Sequence, residues 1–292
     1  MTKKKLAFVT DSTAFLTKEI CHHPDVFVVP IAVIAQDISY EDGVDLSSEQ
    51  LYKIIRNDKQ VPKTSQPPHG QFIQLYEKLQ KEYEEVIAVH VSSALSGTLA
   101  SSIYAKDQLG FDVEVVDSRS VSYGLTILLE YGIKMSKRGE GMKEIANGLQ
   151  QLTKQINHFV LIGNLEQLYK GGRMSGARFL IGNFLRIKPI LTINKQGELV
   201  LYERIRSENK AMKRMIDVLK QSSSPHNIKQ SSSPHNIKQI GIMHGNAEAK
   251  AIQLKQQVLQ EIPYLDVVIG EISSSIAVHA GEDTIAVVWQ TE

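Results

Sequence analysis

A chain of 292 residues is longer than one hydrophobic core usually serves, so two domains are expected. Its 42% apolar and 22% charged residues are ordinary for a globular protein, and a net charge of +1 gives no general attraction to nucleic acid. Lone Cys21 excludes an internal disulfide and fits a reducing compartment.

The start, "MTKKKLAFVTDS", is basic, but its apolar stretch Leu6 to Val9 stops at Thr10 and Asp11. An export signal needs roughly 7–15 apolar residues. "VFVVPIAVIA" is too short to span a bilayer and contains Pro30. A cytoplasmic protein is expected.

Short runs rich in Val and Ile at 5–10, 86–91 and 113–117 read as strands, each ending in Asp, Ser or Thr. "LSSEQLYKIIRN" opens on Ser47 with Gln50 three residues later, a capping-box signature for a helix. "GQFIQLYEKLQKEY" spaces Phe72, Leu75, Tyr76 and Leu79 at helical intervals. Strands alternating with helices predict an α/β fold whose mostly parallel sheet is flanked by helices, with ligands at the carboxyl ends of the strands.

From about 141 the rhythm changes. "MKEIANGLQQLTKQINHF" reads as one long helical stretch leading into strand "VLIG". Strands at 187–193 and 198–205 are joined by a turn at "NKQG", followed by a helix at 207–220 and a strand at 239–243. A helix at 247–261 and strands at 266–272 and 284–289 complete a second α/β unit. The expected division is an N-terminal α/β domain over 1–155 and a C-terminal α/β domain over 156–292. "QSSSPHNIK" occurs twice in succession, at 221–229 and 230–238, and reads as a duplicated surface loop rather than a solenoid or a His226/His235 metal site.

"EVIAVHVSSALSGTLASS" places Ser92, Ser93, Ser96 and Thr98 directly after a strand. One reading is a nucleophile, with Ser96, Asp117 and His279 in the chain order of an α/β-hydrolase triad. The frame Ala94-Leu95-Ser96-Gly97-Thr98 puts a β-branched residue where the tight turn of a hydrolase elbow wants glycine. A second reading is a phosphate cradle at "YKGGRMSG", with cations Lys170 and Arg173, although no complete phosphate-loop motif occurs. The histidines lack zinc-ligand spacing, and neither metal nor cofactor is expected. The third reading is an anion site without chemistry. Ser96, Gly97 and Thr98 would sit at a helix start whose free amides carry partial positive charge, with "KTSQP" adding hydroxyls from an extended neighbouring loop. Pattern alone leaves helix capping and ligand binding equally open.

The motifs "FVTDST", "YEDGVDLSSEQLY", "KTSQP", "HVSSALSGT", "VVDSRSVSYG", "LEQLYKGGRMS", "RIKPIL" and "HAG" follow one another along nearly the whole chain. In this order and spacing they resemble the DegV family, bacterial fatty acid-binding proteins that serve as lipid-presenting partners of a fatty acid kinase. The resemblance implies a two-domain DegV-like fold with one long-chain fatty acid in a tunnel between the domains. It also implies that Thr64, Ser65 and Ser96, with Gly97 and Thr98 beside them, bind the carboxylate. His279 corresponds to a histidine near the headgroup and Arg173 to an arginine at the site or its rim. The implied role is presentation to a kinase for acyl phosphate formation, without catalysis; carriage of another small amphipathic acid is the further alternative. A monomer is expected, with transient membrane contact. Arg173, Arg178, Arg186, Lys188, Arg204 and Arg206 give 173–206 a basic bias suited to a kinase or an anionic membrane. The chain departs from the family pattern at Glu282 and Asp283, which follow "HAG".

Overall fold

The computed structural model describes residues 3–57, 61–174, 188–223 and 237–291. The chain divides into two compact units. The first is Met1–Lys154 with Lys195–Gly197 and Ser273–Val278; the second is Gln155–Asn194, Glu198–Ile272 and His279–Glu292.

In chain order the first unit runs β1 (Lys4–Asp11), α1 (Lys18–Cys21), β2 (Val26–Val29), β3 (Ala32–Ala35), β4 (Ile38–Glu41) and α2 (Ser48–Asn57). It continues with β5 (Lys63–Ser65), α3 (His69–Glu82), β6 (Tyr83–His90), α4 (Thr98–Leu109), β7 (Val113–Asp117), α5 (Tyr123–Lys137) and α6 (Met142–Leu152). Its main sheet, in the order β2-β1-β6-β7, is wholly parallel. Alternation along β1 sends Ala7 and Val9 toward Phe72, Tyr76 and Leu79 of α3 and Ala105 of α4. On α5, a Cβ at Gly132 would lie 2.9 Å from the Phe8 ring and 3.6 Å from Ile145 of α6, so Phe8 is the contact toward that pair of helices. The sheet is therefore covered on both faces, as a parallel sheet requires. At its carboxyl end, buried Asp11 accepts from the Val91 amide (2.9 Å) and the Thr13 hydroxyl (2.6 Å) and lies 3.2 Å from the His90 ring. These bonds tie the ends of β1 and β6 together.

The capping box of α2 forms as the sequence predicts. The Ser47 amide donates to Gln50 Oε1 (2.8 Å) and the Gln50 amide to Ser47 Oγ (3.2 Å). Three features differ from the expected elements. "KTSQP" opens as β5, part of a small antiparallel sheet in the order β4-β3-β5, rather than as a loop. α5 follows β7 although its sequence carries little amphipathic signal, because it buries most of its circumference. The helix expected across 142–159 ends at Leu152. After a 3₁₀ turn at Thr153–Gln155 the chain is extended, because Ile156–Phe159 pair with β13.

The second unit comprises β8 (Ile156–Leu161), α7 (Leu165–Lys170), β9 (Lys188–Ile193), β10 (Leu199–Ile205), α8 (Glu208–Ser223), β11 (Gln239–His244), α9 (Glu248–Glu261), β12 (Asp266–Glu271) and β13 (Ile285–Gln290). α10 (Ser274–Ala280) joins β12 to β13. The sheet order is β10-β9-β8-β13-β11-β12; only β11 and β12 pair in parallel. Phe159 stacks on Trp289 at 5.4 Å within a core completed by α8 and α9. The turn expected at "NKQG" joins β9 to β10, with Gly197 at φ +81°. The duplicated segment lies outside the described residues except at its two ends, where Gln221–Ser223 finish α8.

Candidate functional site

In the first unit, "KTSQP" and "LSGT" come together. A Cβ at Gly97 would stand 2.9 Å from the Gln66 carboxamide carbon, so the Gln66 side chain, just after β5, rests over the start of α4. The Ser96 and Thr98 hydroxyls are 2.8 Å apart, and the Thr98 amide reaches Ser96 Oγ at 3.3 Å. Thr98 is buried and Ser96 half-buried. The first turn of α4 holds no acidic residue, and its N-cap, Gly97, supplies no side-chain bond. An anion there would meet amides and alcohols with no competing carboxylate from the helix. Thr64 is half-buried and Ser65 exposed; as neighbours in β5 their side chains point to opposite faces. A single ligand group on one face of that strand therefore meets one of the two.

Asp117 is occupied otherwise than a triad carboxylate would be. It accepts from the Ser93 hydroxyl (2.5 Å), the Ser93 amide (3.2 Å) and the Arg119 amide (2.9 Å), bracing the turns after β6 and β7. The described non-glycine residues with positive φ include Ser122 but not Ser96, so Ser96 lacks the left-handed backbone that would mark it as strained.

In the second unit, Asn164 caps α7 by accepting from the Glu166 and Gln167 amides (3.0 and 3.1 Å). The helix ends at Gly171, and Arg173 turns back to donate through Nη1 to the Gly171 carbonyl (2.6 Å). His279 packs on Gly171 so closely that any Cβ there would run into Nδ1. Burial, and after it the charge of Arg173, lowers the His279 pKa from 6.5 to about 4. Arg173, Gly171 and His279 thus form one cluster. Lys170, the other cation of the "YKGG" stretch, pairs with Glu166 at 2.7 Å.

Glu282 and Asp283 are engaged elsewhere. Glu282 accepts from Asn246 (2.7 Å), while Asp283 pairs with Lys250 (2.9 Å) and takes φ +64°. The turn they occupy is locked to β8 and α7 by Gly163 N–H to Thr284 Oγ1 (3.0 Å) and Asn164 N–H to the Ala280 carbonyl (3.1 Å). Gln66, Gly171 and Asn164 were not singled out by the sequence reading. Their signals were a residue inside "KTSQP", the first glycine of "KGGR" and a helix-capping Asn, each ordinary alone.

Of the basic residues between 173 and 206, Arg178 and Arg186 lie outside the described residues and Lys188 stands 3.7 Å from Glu208. Arg204 and Arg206 line an open concavity of about 360 Å³ with Lys210, Lys213, Arg214, Glu203 and Asp217. Arg214 there pairs with Glu203 at 2.7 Å. Among the described residues no cluster of three or more His, Cys, Asp or Glu could hold a metal ion, and no helix is long and apolar enough to cross a membrane.

Fold and site define an α/β protein of two units with polar clusters at its helix starts and turns. The family model described as "Uncharacterised protein, DegV family" matches residues 5–292, and the chain belongs to the DegV family. A DegV domain-containing protein of Staphylococcus aureus (strain COL) is 37% identical over 284 residues, covering 97% of this chain and 98% of that one. The fatty acid binding DegV family protein of Streptococcus agalactiae superposes with a TM-score of 0.89 at 30% identity, covering 99% of both chains. The Fatty Acid Kinase (Fak) B3 protein of Streptococcus pneumoniae, solved loaded with linoleic acid, shares the fold. Its TM-score is 0.84 at 18% identity, covering 99% of this chain and 100% of that one.

Because His279 titrates at about 4 when folded and near 6.5 when unfolded, the unfolded chain takes up this proton first as pH falls. The contribution is complete above about pH 6.5 and is lost on descending toward pH 4, at most about 3 kcal/mol. His244, also lowered by burial, acts in the same direction. Urea unfolding at pH 7 and pH 4.5 is expected to show a smaller pH-linked loss in His279→Gln than in the parent; equal losses would contradict the assignment.

Proposed function

We propose that this chain binds one long-chain fatty acid and presents its carboxylate to a separate fatty acid kinase for acyl phosphate formation, without catalysing the transfer itself. In this reading Ser96, Gly97, Thr98 and Thr64, with Ser65 beside it, supply alcohols and amides. Arg173 and His279 supply a cation and a ring N–H. The observation that carries it is the start of α4, where two bonded hydroxyls and an acid-free first turn meet the "KTSQP" strand across Gly97. The fatty acid bound by the Streptococcus agalactiae relative supports the ligand class. The shared motifs support the kinase, and the Streptococcus pneumoniae protein supports the fold alone.

The division of energy follows from elementary terms. Burying an unpaired carboxylate costs several kcal/mol, and each hydrogen bond to it returns only about 1.5–3 kcal/mol. A long tail contributes about 0.8 kcal/mol per buried methylene, on the order of 10 kcal/mol in all. Affinity therefore resides mainly in the tail, and the polar groups decide which end is presented.

Denaturing the purified protein, extracting it with organic solvent and weighing the extract by mass spectrometry tests the ligand. A stoichiometric long-chain fatty acid is expected, whereas an ester turned over by the protein would favour the Ser96 hydrolase. Ser96→Ala is expected to reduce oleate phosphorylation at least tenfold more than oleate affinity, and Thr64→Ala to exceed Ser65→Ala; equal losses in binding and transfer would refute this division. Paired reversal of Arg204 and Arg206 to Glu is expected to abolish coupling to the kinase while bound oleate is retained. Unchanged transfer would remove this concavity as the docking face.

A further inference from the structure

We infer that Asp42 is the positioning residue for His279, acting through α10; the inference rests on the headgroup role of His279 proposed above. Asp42 lies just after β4 and is 3% exposed. Its backbone is fixed by an amide bond to the Ile31 carbonyl (2.9 Å). One carboxylate oxygen accepts from Ser12 Oγ (2.8 Å) and the other from the Ser274 amide (3.0 Å). Ser273 and Ser275, whose hydroxyls lie 3.0 Å apart, flank the Ser274 amide at the start of α10. Burial pushes this carboxyl upward, and the serines around it oppose that shift. A buried carboxylate held by one donor on each oxygen is expected to keep a fixed geometry, because losing it would leave both donors without their acceptor.

The three serines are the entry to α10, so Asp42 acts on that helix as an N-cap delivered from elsewhere in the chain. At seven residues α10 is under two turns, too short to persist by its own propensity. Its far end is held separately: the Ala280 carbonyl accepts from the Asn164 amide (3.1 Å) and Thr284 Oγ1 (2.8 Å). In an α-helix the amide of residue 279 donates to the carbonyl of residue 275. The residue gripped by Asp42, Ser274, directly precedes Ser275, the helical partner of His279, in the same first turn. Releasing the first turn removes the backbone bond that sets the imidazole against Gly171. "YEDG" and "SSSIAVHAG" are far apart in sequence, which is why neither suggests the other.

The test is a ring-¹⁵N NMR titration of full-length histidine-labelled protein, with the His279 signal assigned by its loss in His279→Gln. Asp42→Ala is expected to raise the His279 midpoint by about one unit or more toward its ordinary value, as the ring loses its packed site. Asp42→Asn, which keeps one acceptor oxygen, is expected to restore most of the shift. Ser274→Pro removes the amide donor to Asp42, together with the hydroxyl's 3.4 Å bond to the Leu46 carbonyl, at a first helical position where proline is tolerated, and decides the matter if Asp42→Ala fails to fold. It is expected to move His279 in the same direction and leave His244 unmoved. A folded Asp42→Ala or Ser274→Pro protein with an unchanged His279 midpoint would overturn the inference, whatever its melting temperature. Oleate binding by the parent is measured alongside. Its absence would sink the carrier reading while leaving the His279 titration to judge Asp42.

Discussion

The start of α4 is the constraint on which the candidate site depends: the Ser96 and Thr98 hydroxyls are bonded to each other at 2.8 Å beside a first turn free of acids, and the Gln66 carboxamide of "KTSQP" rests over Gly97. Once they are adjacent, the parallel sheet does the rest. It ends β6 just before this turn and anchors its neighbour β1 through Asp11, so the helix start is presented by rigid backbone. A helix start with alcohols and without acids attracts an anion.

The second unit carries a different kind of group. Arg173 and His279 share one corner, where burial and the neighbouring cation hold the imidazole neutral. A neutral ring donates one hydrogen bond without adding a second formal charge beside the Arg173 guanidinium. Glu282 and Asp283, where the chain departs from the family pattern, engage Asn246 and Lys250, with Asp283 in a left-handed turn.

Much of this was legible in the sequence, and the exceptions have physical causes. The Ser47/Gln50 box, the strands after which the hydroxyls fall and the β9–β10 turn all follow from local chemistry. α5 was not legible because Leu125, Leu128, Leu129 and Ile133 are buried along with Tyr123, Gly124 and Thr126, so that only a narrow exposed stripe through Glu130, Tyr131 and Lys134 marks its period. The first four residues of β8, Ile156–Phe159, read as helix because their pairing with β13 is tertiary information, whereas Val160 and Leu161 read as strand. β5 spans three residues, too few for any alternation to show. The contacts of Gln66 with Gly97 and of Gly171 with His279 join distant segments, and a glycine in a sequence does not say what lies against it.

The central claim is that the polar cluster clasps an ionised carboxylate and does not attack it. Carbon-13 NMR of carboxyl-labelled oleate bound to the protein reads that group directly. A single bound resonance that stays ionised well below the usual carboxylate range, and loses this resistance in Ser96→Ala, is the predicted result. A carboxyl that titrates as it does in free solution, or that converts to an acyl-enzyme signal, would contradict it.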